Sequence, residues 1–203
     1  MGFSKPLTFF FFGRSGAGKG TQVDKLKNYL EENDTTRKVL LVQTGELMRA
    51  LIRQEDSYVS KKVEEVHQNG LLLPSFVPVW LLSNFLGDNL TGEEHLIFDG
   101  VCRQEPEAPI MAEMMEFFDR SEPHIIYINS SRQWCKDRLL DRARSDDTPK
   151  EIDNRLDWYE SNVVPTLESL RTYPVFEYHS INGEQSIEEV HREILTELGL
   201  DSR

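Results

Sequence analysis

A ten-residue segment near the start of the chain carries the residue types that bind phosphate groups. It runs from Gly13 to Gln22 and reads Gly-Arg-Ser-Gly-Ala-Gly-Lys-Gly-Thr-Gln. Its glycines let consecutive backbone N–H groups turn toward one anion, and Lys19 adds a full positive charge. Thr21 can place its hydroxyl on a magnesium ion, largely through water. The segment predicts a loop for the phosphates of a nucleoside triphosphate, lined by Gly13, Ser15, Gly16, Ala17, Gly18, Lys19, Gly20 and Thr21.

Arginines near predicted strand ends and on the later helices could bind further negative charge. Arg138 and Arg142 are four residues apart, hence on one helix face, where like charges repel unless an anion lies near them. Arg155 could instead pair with Glu151 one turn earlier, and any single arginine could be a solvated surface residue. In a chain with a formal net charge of -12, the set as a whole indicates that a polyanion binds. Its members are Arg49, Arg103, Arg138, Arg142, Arg144 and Arg155.

Five predicted strands must position these side chains. They span residues 7–12, 38–42, 95–98, 125–128 and 175–179, and helical patterns separate them. One long helix is predicted from Thr148 to about Leu170, because Thr148, Pro149 and Glu151 form an N-terminal capping pattern. Alternation of strands and helices predicts an α/β fold, a doubly wound parallel sheet with right-handed crossovers, in a single domain over residues 1–203.

The candidate phosphate-binding residues fall where such a sheet binds ligands, beyond the carboxyl ends of its strands. The glycine-rich loop follows the first predicted strand, and Asp99 and Arg103 lie at the end of the third. Asp99 can orient water on a magnesium ion. Its alternative role is to form a turn before Gly100.

The composition argues against some classes of binding partner and of cellular location. A net charge of -12 and an isoelectric point near 4.9 argue against binding to nucleic acid or to an anionic membrane. The sequence lacks a long apolar run and a signal-peptide pattern, so a cytoplasmic location is expected. Cys102 and Cys135 are predicted to be small buried thiols. The five histidines show no metal-ligand spacing, and none is expected to be a ligand.

Four blocks of the sequence resemble those of adenylate kinases and their nucleoside-monophosphate kinase relatives. They are Gly13–Gln22, Thr44–Ala50, Phe98–Arg103, and Arg144–Asp147 together with Arg155-Leu156. Their order and spacing agree over nearly the whole chain. The resemblance implies a P-loop domain with a five-stranded sheet, a monophosphate-binding insertion over 44–73, and Mg-ATP as phosphoryl donor. It also implies AMP and ADP as further ligands and a monomer, with an oligomer left open.

The resemblance also implies a role for individual residues. Lys19 and Arg138 would hold the triphosphate, with Arg138 beside its base, and Thr21 and Asp99 would hold the magnesium ion. Arg142, Arg144 and Arg155, with Lys19 and Arg103, would surround the transferred group. The monophosphate would be bound by Thr44, Gly45, Arg49, the backbone near Leu73, Gly100, Arg103 and Glu107. No general base is needed, because the attacking atom is already an ionised phosphate oxygen.

The sequence departs from the family pattern in the lid. Relatives carry a lid of variable length before the Arg-x-Asp-Asp segment, whereas here only Ala143 separates Arg142 from Arg144. Residues 142–147 are therefore predicted to be a vestigial lid. Since a closing lid excludes water, hydrolysis of the triphosphate without an acceptor is expected.

A second departure lies in the predicted acceptor site. Glu107 stands where adenine-specific members generally carry glutamine, whose amide both donates to and accepts from the base. An ionised glutamate only accepts, which suits the adjacent donors of guanine better. Gln104 could read the base if the local register shifts, and Glu107 could be a solvated acid at a helix start.

These observations are compatible with three functions. The leading one is a magnesium-dependent adenylate kinase that makes two ADP from ATP and AMP. Within the same class, the acceptor could be CMP, UMP or GMP instead. From a different class, the chain could be a nucleotide-binding regulatory protein with little turnover, although such a protein has no need of so many arginines around a transfer point.

Overall fold

Five parallel strands form the centre of the computed structural model, which describes residues 2–54, 57–68, 73–142 and 148–201, with only the backbone at 67 and 68. The strands are β1 Thr8–Phe12, β2 Val39–Gln43, β3 His95–Asp99, β4 His124–Asn129 and β5 Glu177–Asn182. They lie in the order β2-β3-β1-β4-β5. This arrangement confirms the predicted doubly wound parallel sheet, and it places the ends of β1 and β3 side by side.

Helices cover both faces of the sheet. They are α1 Lys19–Asn33, α2 Thr44–Ile52, α3 Tyr58–Gln68, α4 Phe76–Asn89, α5 Glu107–Phe117, α6 Arg132–Arg142, α7 Pro149–Trp158, α8 Val164–Leu170 and α9 Ile187–Glu197. Among the residues described, no helix has the length and apolar character that crossing a membrane requires.

The alternating side chains of β1 build two layers of core. Phe9 and Phe11 face α1, α6 and α9, whereas Phe10 and Phe12 face α4, α5 and α8. Phe10 stacks on Phe98 of β3 with ring centroids 4.4 Å apart. Burial of such a side chain contributes about 1.5–3 kcal/mol, so the strand that carries the phosphate loop is anchored on both faces.

Strand β5 begins later than predicted. Val175 and Phe176 precede it as partly buried residues that pack against the core, and pairing with β4 runs from Glu177 to Asn182. The predicted boundaries were wrong because β5 mixes exposed polar residues with partly buried ones and so carries no continuous apolar run, whereas the apolar pair Val175-Phe176 lies just before it.

The long helix predicted up to Leu170 is interrupted. A π-helical turn, Tyr159–Val163, separates α7 from α8, and Pro165 stands in the first turn of α8. Proline cannot donate to the preceding turn, and a π turn absorbs this mismatch without ending the helix. The predicted cap at the start is confirmed, since the Thr148 side chain accepts from the Glu151 backbone N–H.

A fully buried carboxylate ties the amino-terminal edge of the sheet together. Asp34 Oδ2 accepts hydrogen bonds from the Phe3 backbone N–H (3.1 Å) and from Arg37 Nη1 (3.0 Å), and it lies 3.2 Å from His95 Nε2. Oδ1 accepts from the Thr36 backbone N–H at 3.0 Å. Burial acts to raise the pKa of Asp34, but these hydrogen bonds outweigh it and hold the pKa well below its usual range.

Asp34→Ala should lower the free energy of unfolding by about 3–5 kcal/mol at pH 7, because it leaves Arg37 and several N–H groups without their acceptor. The folded-state pKa lies below the unfolded one, so the stabilisation is present above about pH 4 and is lost as the pH falls. Urea unfolding at pH 7 and pH 3 measures the effect, with the exposed Asp24→Ala as control. An equal loss at both pH values would contradict this assignment.

Candidate active site

The glycine-rich loop connects β1 to α1 and packs tightly against its neighbours. Gly13 has a φ of +149°, and a Cβ there would lie 2.8 Å from the carbonyl oxygen of Ile128. Gly16 has a φ of +89°, and a Cβ there would lie 2.5 Å from the carbonyl oxygen of Cys135. Both positions require glycine on steric and conformational grounds. The loop therefore packs closely against β4 and α6, just beyond the carboxyl end of β1.

Lys19 lies across this loop. Its Nζ donates to the carbonyl oxygens of Gly13 at 2.7 Å and of Arg14 at 3.1 Å. Desolvation in the cleft lowers the pKa of Lys19 to about 8, while the negative charge of Asp99 acts in the opposite direction. A side chain that carries its charge into a partly dry cleft is suited to meet phosphate oxygens there.

Asp99 is held by a residue that the sequence had not singled out. Gln43 ends β2 directly beside Asp99 in the parallel register, and its Nε2 donates to Asp99 Oδ2 at 3.0 Å. The sequence carries one indication of this contact, because Gln43 and Asp99 each stand at the carboxyl end of a strand. Asp99 supplies a carboxylate and Thr21 a hydroxyl at the first turn of α1. These are hard oxygen donors, which fit a hydrated magnesium ion.

Arg103 lies against Gly100 just after β3. Gly100 has a φ of +70°, and a Cβ there would lie 2.2 Å from Arg103 Nη2, so a larger residue would displace the guanidinium from this position. Arg103 is open to solvent within the cleft, yet protein surrounds it closely enough for desolvation to lower its pKa, against the opposing charges of Asp99 and Glu107. A partly desolvated guanidinium attracts phosphate more strongly than one on the open surface.

Two clefts meet at this arginine. The larger, of about 600 Å³, includes the loop residues Gly13, Ser15 and Lys19, and also Arg155. The smaller, of about 180 Å³, is lined by residues from the 44–73 segment and from the start of α5. Gly100, Arg103 and Trp158 line both. The geometry therefore provides two adjoining ligand sites with a positive charge at their junction.

The smaller cleft contains a buried acid. Only 3% of Glu107 is exposed, which shows that it is not a solvated acid at a helix start. Its Oε2 accepts from the Arg103 backbone N–H at 2.9 Å, and its Oε1 accepts from Gln104 Nε2 at 3.3 Å. Burial raises the pKa of Glu107 in spite of these bonds. Gln104 also donates to the Leu73 carbonyl at 3.0 Å, so both predicted base-reading residues lie in one cleft.

Thr44 lines this smaller cleft, whereas Arg49 lies beside Gly45 and is not part of the lining. Thr44 begins α2 and lines the cleft together with Gly45. Arg49 bends back over Gly45, and its Nη2 donates to Glu46 Oε1 at 2.6 Å. A phosphate bound here would have to compete with the Glu46 carboxylate for the guanidinium.

The other predicted arginines occupy different places. Arg155 lines the larger cleft, and its Nε donates to the Glu151 carbonyl oxygen at 3.3 Å rather than to that residue's carboxylate. Arg138 lies 6.0 Å from the ring centre of Trp134 and, with Thr21, lines a small pocket separate from the larger cleft. Arg142 is exposed at the end of α6. Arg144 and the rest of the predicted lid, residues 143–147, lie outside the described residues.

The π-helical turn braces the phosphate loop. Arg14 donates from Nη1 to the Ser130 carbonyl oxygen at 2.8 Å and from Nε to Glu160 Oε1 at 3.3 Å. Its guanidinium also lies 5.4 Å from the ring centre of Tyr159. Residues Tyr159 and Glu160 belong to the π turn, so the irregular helix links the loop to the wall of the larger cleft. Such turns often occur at functional sites.

Comparison with known proteins identifies the family. A family model described as adenylate kinase matches residues 11–174. An adenylate kinase of Thermosynechococcus vestitus is 28% identical over 201 residues, covering 95% of this chain and 97% of the relative. Adenylate kinase 1 of a Nostoc species is 28% identical over 196 residues, covering 93% and 97%. Human adenylate kinase isoenzyme 5 is 31% identical over 193 residues, which is 92% of this chain and 32% of that protein.

The matched region covers most of the chain, from β1 to the turn before β5, and so includes the loop, both clefts and the arginine between them. The chain is thus a phosphotransferase that binds nucleotides and uses ATP to phosphorylate nucleoside monophosphates, and it belongs to the adenylate kinase family.

Proposed function

We propose that this protein is an adenylate kinase that converts Mg-ATP and AMP into two ADP. The observation that carries the proposal is the pair of clefts that meet at Arg103. ATP would occupy the larger cleft with its phosphates at the glycine-rich loop, and AMP the smaller one. An AMP phosphate oxygen attacks the γ-phosphorus, and the bond to the oxygen bridging the β- and γ-phosphates breaks.

The reaction needs charge and alignment rather than proton transfer. Lys19 would hold the β- and γ-phosphates, and Arg103 would neutralise the repulsion between the AMP phosphate and the transferred group. Arg142, Arg144 and Arg155 would add positive charge around the equatorial oxygens, and Arg138 would flank the ATP base. Magnesium, held through water by Asp99 and Thr21, supplies further positive charge to the phosphates when it is bound.

The segment 44–73 would act as the AMP-binding insertion. A small apolar cluster of its own, built around Leu51, Val63 and Val77, packs α2 and α3 against α4. Thr44 and Gly45, at the start of this segment, and Leu73, at its end, line the smaller cleft. We propose that these residues and Arg49 bind the AMP phosphate and sugar, and that the enzyme works as a monomer.

Initial rates with Mg-ATP and a panel of AMP, CMP, UMP and GMP test the proposal. AMP should give a kcat/KM at least about tenfold above each of the others, which is the discrimination that one well-placed hydrogen bond gives. Chromatography of the nucleotides measures the diphosphates formed. A higher kcat/KM for another acceptor would refute AMP as substrate, and diphosphate formation with none of them would favour the regulatory-protein alternative.

Glu107→Gln should raise kcat/KM for AMP at pH 8, and this gain should become smaller as the pH falls toward the raised pKa of Glu107. The raised pKa of Glu107 lets its protonated form, which donates and accepts as glutamine does, persist above the usual range. As the pH rises through the folded-state pKa, the donor is lost and the KM for AMP should rise. In the variant the KM should stay flat with pH.

Glu105→Gln, two residues away on the exposed surface, is the matched control and should follow the wild type. A GMP reaction that improves as the pH rises would instead favour the guanine alternative, because an ionised carboxylate pairs with two adjacent donors. A pH-independent KM for AMP in the wild type would contradict the role of Glu107 in reading the base.

Hydrolysis of ATP in the absence of an acceptor should be measurable, because the 142–147 segment is too short to close over the phosphates as a full lid does. Phosphate release measures it, and Lys19→Ala should lower hydrolysis and transfer by a similar factor if one site performs both. Brisk transfer beside undetectable hydrolysis would show that another part of the chain excludes water.

A further inference from the structure

Two histidines and a glutamate meet at the edge of the sheet opposite the nucleotide clefts. His124 begins β4, and the parallel register sets it beside Glu177, the first residue of β5. His179 follows Glu177 by two positions, so the two-residue period of a strand turns all three side chains toward the same face. Phe9 of β1 stacks on the His124 ring with centroids 5.5 Å apart and limits its rotation. The cluster takes no part in the proposed phosphoryl transfer.

The three potential ligand atoms lie close enough together to share one metal ion. His124 Nδ1 lies 3.1 Å from His179 Nε2 and 3.2 Å from Glu177 Oε2, and the last two atoms are 4.0 Å apart. Ligand atoms about 2.0 Å from a tetrahedral zinc ion lie about 3.3 Å apart, so two of these separations fit, and a small rotation of the half-exposed Glu177 carboxylate brings the third into range. We propose that His124, Glu177 and His179 form a binding site for Zn²⁺.

Hydrogen bonding alone satisfies this cluster poorly. If His179 Nε2 carries the proton, it donates to His124 Nδ1, whose lone pair then also faces the Glu177 carboxylate at 3.2 Å. If His124 Nδ1 carries the proton, that single N–H must serve two acceptors. A cation removes the conflict, because all three atoms then act as lone-pair donors to it.

The surroundings fit an accessible metal site. Glu197 on α9 lies 3.9 Å from His179 Nδ1, beyond hydrogen-bond distance, and its negative charge favours a proton at Nδ1, which leaves Nε2 to a metal. The His124 and His179 side chains are 15% and 12% exposed, and that of Glu177 is 49% exposed, so an ion can enter from solvent and keep water as a fourth ligand. Two imidazoles and one carboxylate suit Zn²⁺ rather than Mg²⁺.

Titration of the full-length, chelator-treated protein with Zn²⁺ and with Co²⁺ tests the site. One Zn²⁺ per chain should bind and raise the Tm, and Co²⁺ should give the visible d–d absorption of tetrahedral coordination. His179→Gln and Glu177→Gln should each weaken Zn²⁺ affinity at least about tenfold, since even outer partners of a zinc ligand change affinity by that factor. Glu177 is half-exposed, so its variant keeps the proposal testable if the histidine variant misfolds.

His191→Gln, at a histidine on α9 outside the cluster, should bind Zn²⁺ as the wild type does. Thiolate-to-cobalt charge transfer would instead reveal binding by Cys102 or Cys135 and would overturn the proposal. Unchanged Zn²⁺ affinity in both cluster variants, or the absence of a Tm shift with Zn²⁺, would also overturn it. In that case the cluster is a pair of hydrogen-bonded histidines. Neither result bears on the kinase reaction, which the acceptor panel tests separately.

Discussion

Lys19→Ala should lower kcat for phosphoryl transfer by about 10²–10³-fold, the usual cost of removing one preorganised charge from a transfer site. The Lys19 ammonium lies on the carbonyl oxygens of the loop and lines the larger cleft. If the ammonium is removed, it no longer stabilises the negative charge that develops on the transferring phosphoryl group. A coupled assay of ADP formation measures kcat. Lys27→Ala, on the surface of α1 and paired with Glu31, is the matched control.

The same lysine predicts a pH dependence. Its pKa is about 8 without nucleotide, so the protonated form that binds phosphate is lost as the pH rises through that value. The KM for ATP should therefore increase above about pH 8, and it should stay constant between pH 6 and 7. A KM for ATP that does not change from pH 7 to pH 9 would show that Lys19 keeps its proton or does not meet the triphosphate.

Arg103→Ala should reduce kcat/KM for the acceptor by about 10³-fold or more, comparable to the loss of a catalytic arginine in other phosphoryl-transfer enzymes. The expected loss is large because Arg103 lines both clefts and so contacts both nucleotides in the proposed complex. Arg103→Lys should recover little, since an ammonium cannot offer the planar fork that grips two phosphate oxygens. Arg171→Ala, at an exposed arginine paired with Glu168, serves as the control.

Gly100→Ala tests whether the position of this guanidinium matters as well as its charge. A methyl group there would lie 2.2 Å from Arg103 Nη2 and displace it. The variant should lower kcat/KM by less than Arg103→Ala does, because it keeps every charge and the flexible guanidinium can shift away from the methyl group. A fully active Gly100→Ala enzyme would show that this position of the Arg103 guanidinium is not required. If the protein only binds nucleotides, these variants should bind them more weakly, and neither the variants nor the wild type should form a diphosphate.

The phosphate loop and the fold class could be predicted from the sequence because their signals are local. The apolar run of β1, the glycines after it and Lys19 are contiguous, and each needs only its neighbours to adopt its conformation. Arg103 could likewise be placed after a strand end. Boundaries were less well predicted where tertiary packing competes with local pattern, as at the start of β5 and at the π turn before Pro165.

By itself, then, the sequence determined the order of the elements, the glycine-rich loop predicted to bind phosphate and the residues that could surround it. Only the tertiary structure decided which of these residues share a cleft, that Gln43 holds Asp99, and that Glu107 is buried rather than solvated. It alone brought together His124 and His179, which are 55 residues apart in the chain. The reason is physical: parallel strands pair across long crossovers, and the register between them is set by the packing of the whole sheet.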